Sequence, residues 1–243
     1  MNREQQLAEA FVGLADTLAD DFDPVGLLDR LAEHCVDLTG ADEVGIMMAN
    51  ARGTLRTMAV TDDGVALFEL FQLQTGQGPC LDCYRTGQPV DSADLREDTA
   101  RWPRLAPPAV TAGYRAAHAV PLRVGQQTLG SVNVLLTTPG GLPAGELRLI
   151  QALTDMAALA LIHYSPEPTR PTDILTRAES VLAAKAAVEM ASGMLAEHGR
   201  LTPAAALRAL RAYCAGNGGR LSATAQALVR RELDLSTVLA AFR

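Results

Sequence analysis

Six arginines stand between Glu197 and Glu232, and no acidic residue lies among them. They are Arg200, Arg208, Arg211, Arg220, Arg230 and Arg231. The guanidinium group is planar and always charged, so it can fork onto two phosphate oxygens or onto a base edge. The segment therefore predicts a polyanion as its partner. A solvated helical face is the alternative interpretation.

The charge of the chain is divided unevenly between its two ends. The whole chain carries a net charge of −7. Residues 1–165 hold 11 basic and 21 acidic side chains, whereas residues 166–243 hold 10 basic and 7 acidic ones. Such asymmetry favours a polyanion partner for the basic end. With 48% hydrophobic and 4% aromatic residues, the composition is that of a globular protein whose core consists of Ala, Leu and Val.

A second group with possible chemistry is the pair Cys80 and Cys83, the one CxxC spacing in the chain. A metal site needs two further ligands, and the candidates His34, Cys35 and His118 are scattered. A redox pair is a weak alternative, and two buried thiols are the more common case. We predict no metal, no cofactor and no enzymatic activity, because no nucleophile–base spacing, P-loop or dinucleotide fingerprint is present.

The cellular location is predicted from what the sequence lacks. Four cysteines are too few for a disulfide framework in a chain of this length. No apolar run is long enough to cross a bilayer, and the first residues are polar rather than a signal peptide. A cytoplasmic protein is the expectation.

The first two thirds of the chain mix helix and strand patterns. Strand pairs are predicted at residues 44–49 with 54–60 and at residues 116–123 with 128–136, each across a Gly-containing turn. Helical patterns are predicted at residues 7–18, 24–38, 67–73 and 143–164. Asp23 caps the second of these helices, with Pro24 at its first position. The pattern predicts an α+β fold with one antiparallel sheet and helices packed on it.

Three prolines between Ser165 and Pro171 predict a linker, because proline cannot continue a helix. The predicted domains are therefore residues 1–164 and 173–243, with a Pro-rich linker at 165–172. In the second domain, caps and glycines predict three helices, from about 173 to 197, from Thr202-Pro203 to the glycine-rich turn at 216–219, and from Ser222 onward.

The second of these three helices has the most informative surface. Arg208 and Arg211 lie three residues apart on one flank, among Ala204, Ala212 and Ala215, so the surface is cationic and flat. A nucleic-acid backbone could approach such a surface closely. Tyr213 offers a ring for base stacking, or it covers the core. Gly193, in the preceding helix, predicts close packing of a neighbouring backbone or of a ligand.

The N-terminal part resembles a GAF domain over about residues 5–164. The resemblance rests on the runs GQGPCLD (76–82), TGQPV (86–90), RWP (101–103) and AVPL (119–122). It implies a sensor fold of antiparallel sheet and helices, with an unknown small-molecule ligand or none. Trp102 is expected in the core of this domain or at its rim.

The C-terminal part resembles the ANTAR domain over about residues 173–231. The resemblance rests on ASGMLAEHG (191–199), LTP (201–203), LRAY (210–213) and the positions of Leu221 and Ala225. The sequence departs from the family at Lys185, at Cys214 and Thr224, and in a glycine turn where only the following Arg220 is charged. The resemblance implies binding to leader RNA with two small stem-loops, and transcription antitermination.

These observations predict a GAF-like sensor followed by a three-helix RNA-binding bundle that acts as a homodimer. The residues predicted to bind RNA are Lys185, Ala191, Gly193, Ala206, Arg208, Arg211, Ala212, Tyr213 and Arg220. One rival hypothesis is a ligand or redox sensor whose helical tail binds a protein. Another is DNA binding, which the absence of a long recognition helix after the glycine turn disfavours.

Overall fold

A computed structural model describes residues 2–15, 23–163 and 171–241, and for residues 163 and 171–177 it describes the backbone. The contacts divide the chain into two compact units. The sheet unit comprises Met1–Thr17 and Leu28–Ala178, and the helical unit comprises Leu18–Leu27 and Glu179–Arg243. The predicted linker at residues 165–172 lies largely outside the described residues.

The sheet unit contains five strands, all antiparallel to their neighbours, in the order β2-β1-β5-β4-β3. The strands are β1 (Glu43–Ala49), β2 (Leu55–Val60), β3 (Val90–Ser92), β4 (Ala116–Val124) and β5 (Gln127–Leu136). Both predicted hairpins are confirmed, because Met48 pairs with Arg56 in the first and Val120 pairs with Val132 in the second. Strand β3 was not predicted from the sequence, and it is only three residues long.

The helices of the described chain are numbered in sequence order. They are α1 (Arg3–Ala15), α2 (Pro24–Leu38), α3 (Asp63–Thr75), α4 (Pro79–Thr86), α5 (Ala106–Thr111), α6 (Ala144–His163), α7 (Pro171–Gly199), α8 (Pro203–Asn217), α9 (Leu221–Val229) and α10 (Leu235–Ala240). Predicted α2 and α6 are confirmed to within two residues. Helix α3 is longer than predicted, because Asp62 caps it before the apolar pattern begins.

Helices cover both faces of the sheet, so nearly every residue of β4 and β5 is buried. Helix α6 packs on β4, whereas α4 packs on β4 and β5. Alternation along a strand sends successive side chains to opposite faces. Ala117 and Ala119 accordingly lie in a core cluster with Phe68 of α3 and with Trp102, which is 1% exposed. Double coverage explains why these strands read as continuous apolar runs.

The helical unit buries a core of small and aliphatic side chains from α7, α8, α9 and α10. The fourth helix, α10, was not predicted. Thr202 caps α8 by accepting a hydrogen bond from the amide of Ala205, as the sequence predicted. Helix α7 begins at Pro171 rather than after Thr172, since proline is favoured at the first position of a helix.

Asp23 is a buried carboxylate within the helical unit. Its Oδ1 accepts hydrogen bonds from the amides of Val25 and Gly26, which confirms the predicted cap. Its Oδ2 accepts a further hydrogen bond of 2.7 Å from the amide of Ser222, at the start of α9. One carboxylate therefore satisfies orphan amides at two helix N-termini.

Candidate functional site

Helix α8 presents one solvent-exposed face in the helical unit. The exposed side chains on this face are Ala204, Arg208, Arg211, Ala212 and Ala215. Their spacing of three and four residues places them in one stripe along the helix. Because the other exposed positions of this stripe are alanines, no bulky uncharged side chain within it would hold a flat ligand away. We call this stripe the α8 surface.

The charges of the α8 surface come from guanidinium groups. The side chain of Arg208 has no ion pair or hydrogen bond with any residue that the structure describes. Arg211 interacts with another group of the chain, and Arg220, half-buried at the N-terminal end of α9, does so too. Of these three arginines, Arg208 is therefore the one whose side chain is most available to a phosphate or a base edge.

Other residues predicted to bind RNA lie beneath the surface of the helical unit or beside it. Ala191 and Ala206 are fully buried in its core. Direct contact of these two methyl groups with RNA would require the bundle to open, so we correct their role to structural support. Tyr213 is half-buried and packs against the same core, as the alternative interpretation expected. Lys185 is half-buried and lies 4.0 Å from Glu189, one turn further along α7.

For Gly193, the structure opposes the predicted packing of a neighbouring backbone, and the alternative of a ligand contact stays a prediction. Gly193 is exposed, and a Cβ placed on it would meet no atom within 4 Å outside the local helix. No neighbouring backbone of the described chain therefore explains this glycine. Met190, one turn earlier on α7, is 53% exposed. The two residues form a surface of α7 that is open to a partner.

In the sheet unit, two of the motifs that resemble a GAF domain contact each other. The indole Nε1 of Trp102 donates to Oδ2 of Asp82 at 2.9 Å. Arg101 lies 3.7 Å from the same carboxylate and 4.4 Å above the ring of Trp102. The amide of Arg104 donates to Oε1 of Gln77. These motifs therefore have a structural role, since they fix the start of α4 to the segment that follows the 3-10 turn Glu97–Thr99.

A cluster of polar side chains is fully buried between the sheet and α3 and α4. Its members are Glu69, Gln72, Cys80, Ser131 and Asn133, which we call the buried polar cluster. Asn133 donates from Nδ2 to Oε1 of Glu69 at 2.9 Å, and the amide of Cys80 donates to Oε1 of Gln72 at 3.0 Å. Ser131 donates to the carbonyl of Cys80, and the two side chains lie 2.6 Å apart.

Two atoms of this cluster, Nε2 of Gln72 and Oδ1 of Asn133, have no hydrogen-bond partner among the described residues. Unpaired buried polar atoms are rare in proteins, and a water or a ligand commonly satisfies them. Glu69 packs against β1, where a Cβ placed on Gly45 would overlap its Oε1. Glycine at position 45 therefore makes room for the carboxyl group.

Burial sets the protonation of this cluster. It raises the pKa of Glu69 from 4.5 to about 8, although hydrogen bonds from Asn133 and Thr57 lower that pKa. Glu69, Gln72 and Asn133 were not predicted as site residues. The available signal was the occurrence of Glu69 and Gln72 within an otherwise apolar stretch of α3.

Cys80 and Cys83 are both free, fully buried thiols. Burial, with the nearby Glu69 next in importance, raises the pKa of Cys80 well above its ordinary value. Burial, with a smaller effect of Asp91, raises the pKa of Cys83 to about 12. A helix N-terminus lowers a thiol pKa when the thiol is accessible, but desolvation outweighs that effect here. The redox role stays a prediction.

Two further properties concern the described part of the chain as a whole. None of its groups of His, Cys, Asp and Glu is arranged to hold a metal ion. Within the same residues, no helix combines the length and the apolar character that crossing a bilayer requires.

Comparison with known proteins identifies the family of the sheet unit. The GAF domain of a phosphoenolpyruvate-protein phosphotransferase from Acinetobacter superimposes with a TM-score of 0.50 and 14% identity, covering 67% of this chain and 95% of that one. A GAF domain/HD domain protein from Geobacter sulfurreducens gives a TM-score of 0.48 and 20% identity, over 63% and 97%. At 14% identity, the likeness to the Acinetobacter domain shows the fold alone. No curated protein gives a significant match. The family model for the GAF domain matches residues 23–161, more than half of the chain, and the chain therefore belongs to the GAF domain family, whose members typically sense signals.

Proposed function

We propose that this chain is an RNA-binding transcription antitermination regulator, in which the sheet unit receives a signal and the helical unit binds RNA. In this function the helical units of a homodimer hold the two small stem-loops of a leader transcript. Holding them prevents the competing terminator hairpin from forming, so that RNA polymerase reads on. The protein acts by binding and not by catalysis.

The observation that carries the proposal is the α8 surface, where Arg208 and Arg211 stand among exposed alanines. A guanidinium group binds phosphate oxygens in a fork and stacks on unpaired bases. The flat alanine positions let a sugar–phosphate backbone come close to the helix. The sequence resemblance to ANTAR domains favours structured RNA over other polyanions.

A homodimer suits this function, because two helical units could hold the two stem-loops of one RNA. Once one stem-loop is bound, the second binding step is intramolecular and has a high effective concentration. On the sensor side, the unpaired atoms of Gln72 and Asn133 favour a small polar ligand at the buried polar cluster. Such a ligand would be the signal.

The experiment is equilibrium binding of an RNA with two small stem-loops to the full chain and to the Arg208→Ala/Arg211→Ala variant. We expect the variant to bind on the order of tenfold more weakly, and its affinity to depend less on salt. Arg56→Ala, an exposed arginine of β2 in the sheet unit, is the matched control and should bind as the natural chain does. Equal affinity of the double variant and the natural chain contradicts the assignment of the α8 surface.

A second candidate function is a sensor whose helical unit binds a protein. The exposed side chain of Met190 beside the open position of Gly193 favours it, because a protein partner could cover this part of α7. This candidate would be supported if filter binding showed no preference for tandem stem-loops over scrambled RNA. The arginine substitutions should then have no effect on binding either.

A further inference from the structure

Three helices of the helical unit end in the same way. In each, a left-handed residue follows the last turn, and the next amide donates to the carbonyl five residues back: Leu201 to Ala196, Gly219 to Cys214, and Glu232 to Ala227. The left-handed residues are Arg200 (φ 51°), Gly218 (φ 63°) and Arg231 (φ 63°). Within the described chain, Arg200 and Arg231 are the only non-glycine residues with positive φ.

Glycine adopts the left-handed conformation without cost, whereas a side chain is strained there. Gly218 shows that this chain uses glycine at one of the three helix ends. Strained residues that persist in a fold frequently have a function that requires the side chain. Helix termination alone therefore does not explain why arginine, rather than glycine, stands at positions 200 and 231.

The segments that carry the two arginines both lie next to α10, one in space and the other in sequence. Just before Arg200, a Cβ placed on Gly199 would lie 3.1 Å from the side chain of Leu239 of α10, and His198 Nε2 is 3.4 Å from Ser236 Oγ. Arg231 is only five residues from Ser236, at most about 18 Å along an extended chain. Helix α10 therefore contacts the last turn of α7, and a short segment joins it to the last turn of α9.

Neither arginine is neutralised by the acids around it. Glu197, Glu232 and Asp234 are exposed and lie within three residues of one arginine or the other, yet none forms an ion pair with Arg200 or Arg231 in the part of the chain that the structure describes. The carboxylate of Asp234 instead accepts from the amide of Ser236. The C-termini of α7 and α9 carry partial negative charge, which repels a polyanion. A polyanion could therefore approach either C-terminus only where a positively charged side chain covers it.

We propose that Arg200 and Arg231 are phosphate-binding residues that extend the α8 surface around the end of the helical unit, so that one RNA backbone contacts both. This proposal rests on the proposed function. Arg200 is close to the α8 surface in sequence: Arg208 lies about 7.5 Å along α8 from Pro203, since a helix rises about 1.5 Å per residue, and Arg200 stands three residues before that proline.

The test uses the full chain with Arg200→Gly/Arg231→Gly, which removes two charges and also removes the backbone strain. We expect the free energy of unfolding to stay equal or to rise, while binding to a tandem stem-loop RNA weakens on the order of tenfold. The slope of log affinity against log salt should fall by about two, because each arginine neutralises one phosphate and accounts for about one unit of the slope. Arg200→Lys/Arg231→Lys keeps both charges and should bind within a few-fold of the natural chain.

Three outcomes overturn the proposal. If the glycine variant binds with unchanged affinity and salt slope while Arg208→Ala/Arg211→Ala binds weakly, this proposal fails and the proposed function stands. If the glycine variant unfolds more easily, the arginines serve the helix ends, where a cation complements the helix dipole. If the natural chain does not prefer tandem stem-loop RNA to a scrambled RNA, this proposal and the proposed function fail together.

Discussion

Asn133 donates a hydrogen bond of 2.9 Å to the carboxyl group of Glu69, and both side chains are completely buried. Thr57 donates to the other carboxyl oxygen at 3.4 Å. Neither donor is charged, and the two hydrogen bonds offset only part of the cost of burying a carboxylate. Glu69 is therefore a neutral acid in much of the range below pH 8, since burial raises its pKa from 4.5 to about 8.

We expect Glu69→Gln to stabilise the chain increasingly as the pH rises from about 5 to 8. The folded state retains a proton that the unfolded state releases above pH 4.5, so the natural chain loses stability through this window and then levels off. One such group changes the free energy of unfolding by at most about 1.4 kcal/mol per pH unit. Urea unfolding at several pH values measures it, with Glu97→Gln, exposed on the surface, as control. Parallel stability curves for Glu69→Gln and the natural chain would contradict the protonated carboxyl group.

The contact between Trp102 and Asp82 predicts a stability effect in the sheet unit. Asp82→Ala leaves the indole N–H without its acceptor and should lower the free energy of unfolding by about 1–3 kcal/mol. Asp82→Asn should cost less, because the amide oxygen can still accept. In a double-mutant cycle with Trp102→Phe, we expect the cost of Asp82→Ala to fall. Additive effects of the two substitutions would show that this hydrogen bond contributes nothing.

Asp23 predicts an effect in the helical unit, where its carboxylate accepts from the amides of Val25, Gly26 and Ser222. Asp23→Ala leaves amides of two helix N-termini unpaired, and should destabilise the chain by about 1–3 kcal/mol. Asp234→Ala removes an exposed cap with one such bond and should cost no more than about 1 kcal/mol. Chemical denaturation compares the two, and an equal or smaller cost for Asp23→Ala would contradict its bridging role.

The thiols of Cys80 and Cys83 should react slowly with a thiol reagent in the folded chain. Both are buried, and desolvation raises the pKa of each, so little thiolate forms near pH 8. Reaction should become fast only in denaturant. Rapid labelling of the folded chain, or a Cys80–Cys83 disulfide in the mass spectrum of oxidised protein, would instead support the redox alternative.

Local signals predicted most of the sheet unit correctly. The turn between Asn50 and Gly53 and the turn at Gly125 determined both hairpins, because loop length and glycine fix the register of a hairpin. The contact between Glu69 and Asn133 could not be predicted, since it joins residues 64 positions apart in the sequence. Only the packing of α3 on the sheet brings the two residues together.

In the helical unit, the many alanines made it difficult to predict which residues are buried and which are exposed. Helix α8 carries alanine on both its buried and its exposed faces, so periodicity alone could not place Ala206 in the core and Ala212 on the surface. The arginines were easier to place, because charge excludes them from the core. The left-handed conformation of Arg200 and Arg231 had no sequence signal, since glycine is the residue expected there.

The most direct test of the central claim is competition binding by the full chain at about 0.1 M salt. The three ligands are a tandem stem-loop RNA, an RNA of the same composition with scrambled loops, and duplex DNA of the same length. The proposed function predicts tightest binding to the tandem stem-loops, on the order of tenfold or more over both competitors, with an affinity that falls steeply as salt increases. Equal affinity for the three ligands, or no binding to any of them, would contradict it.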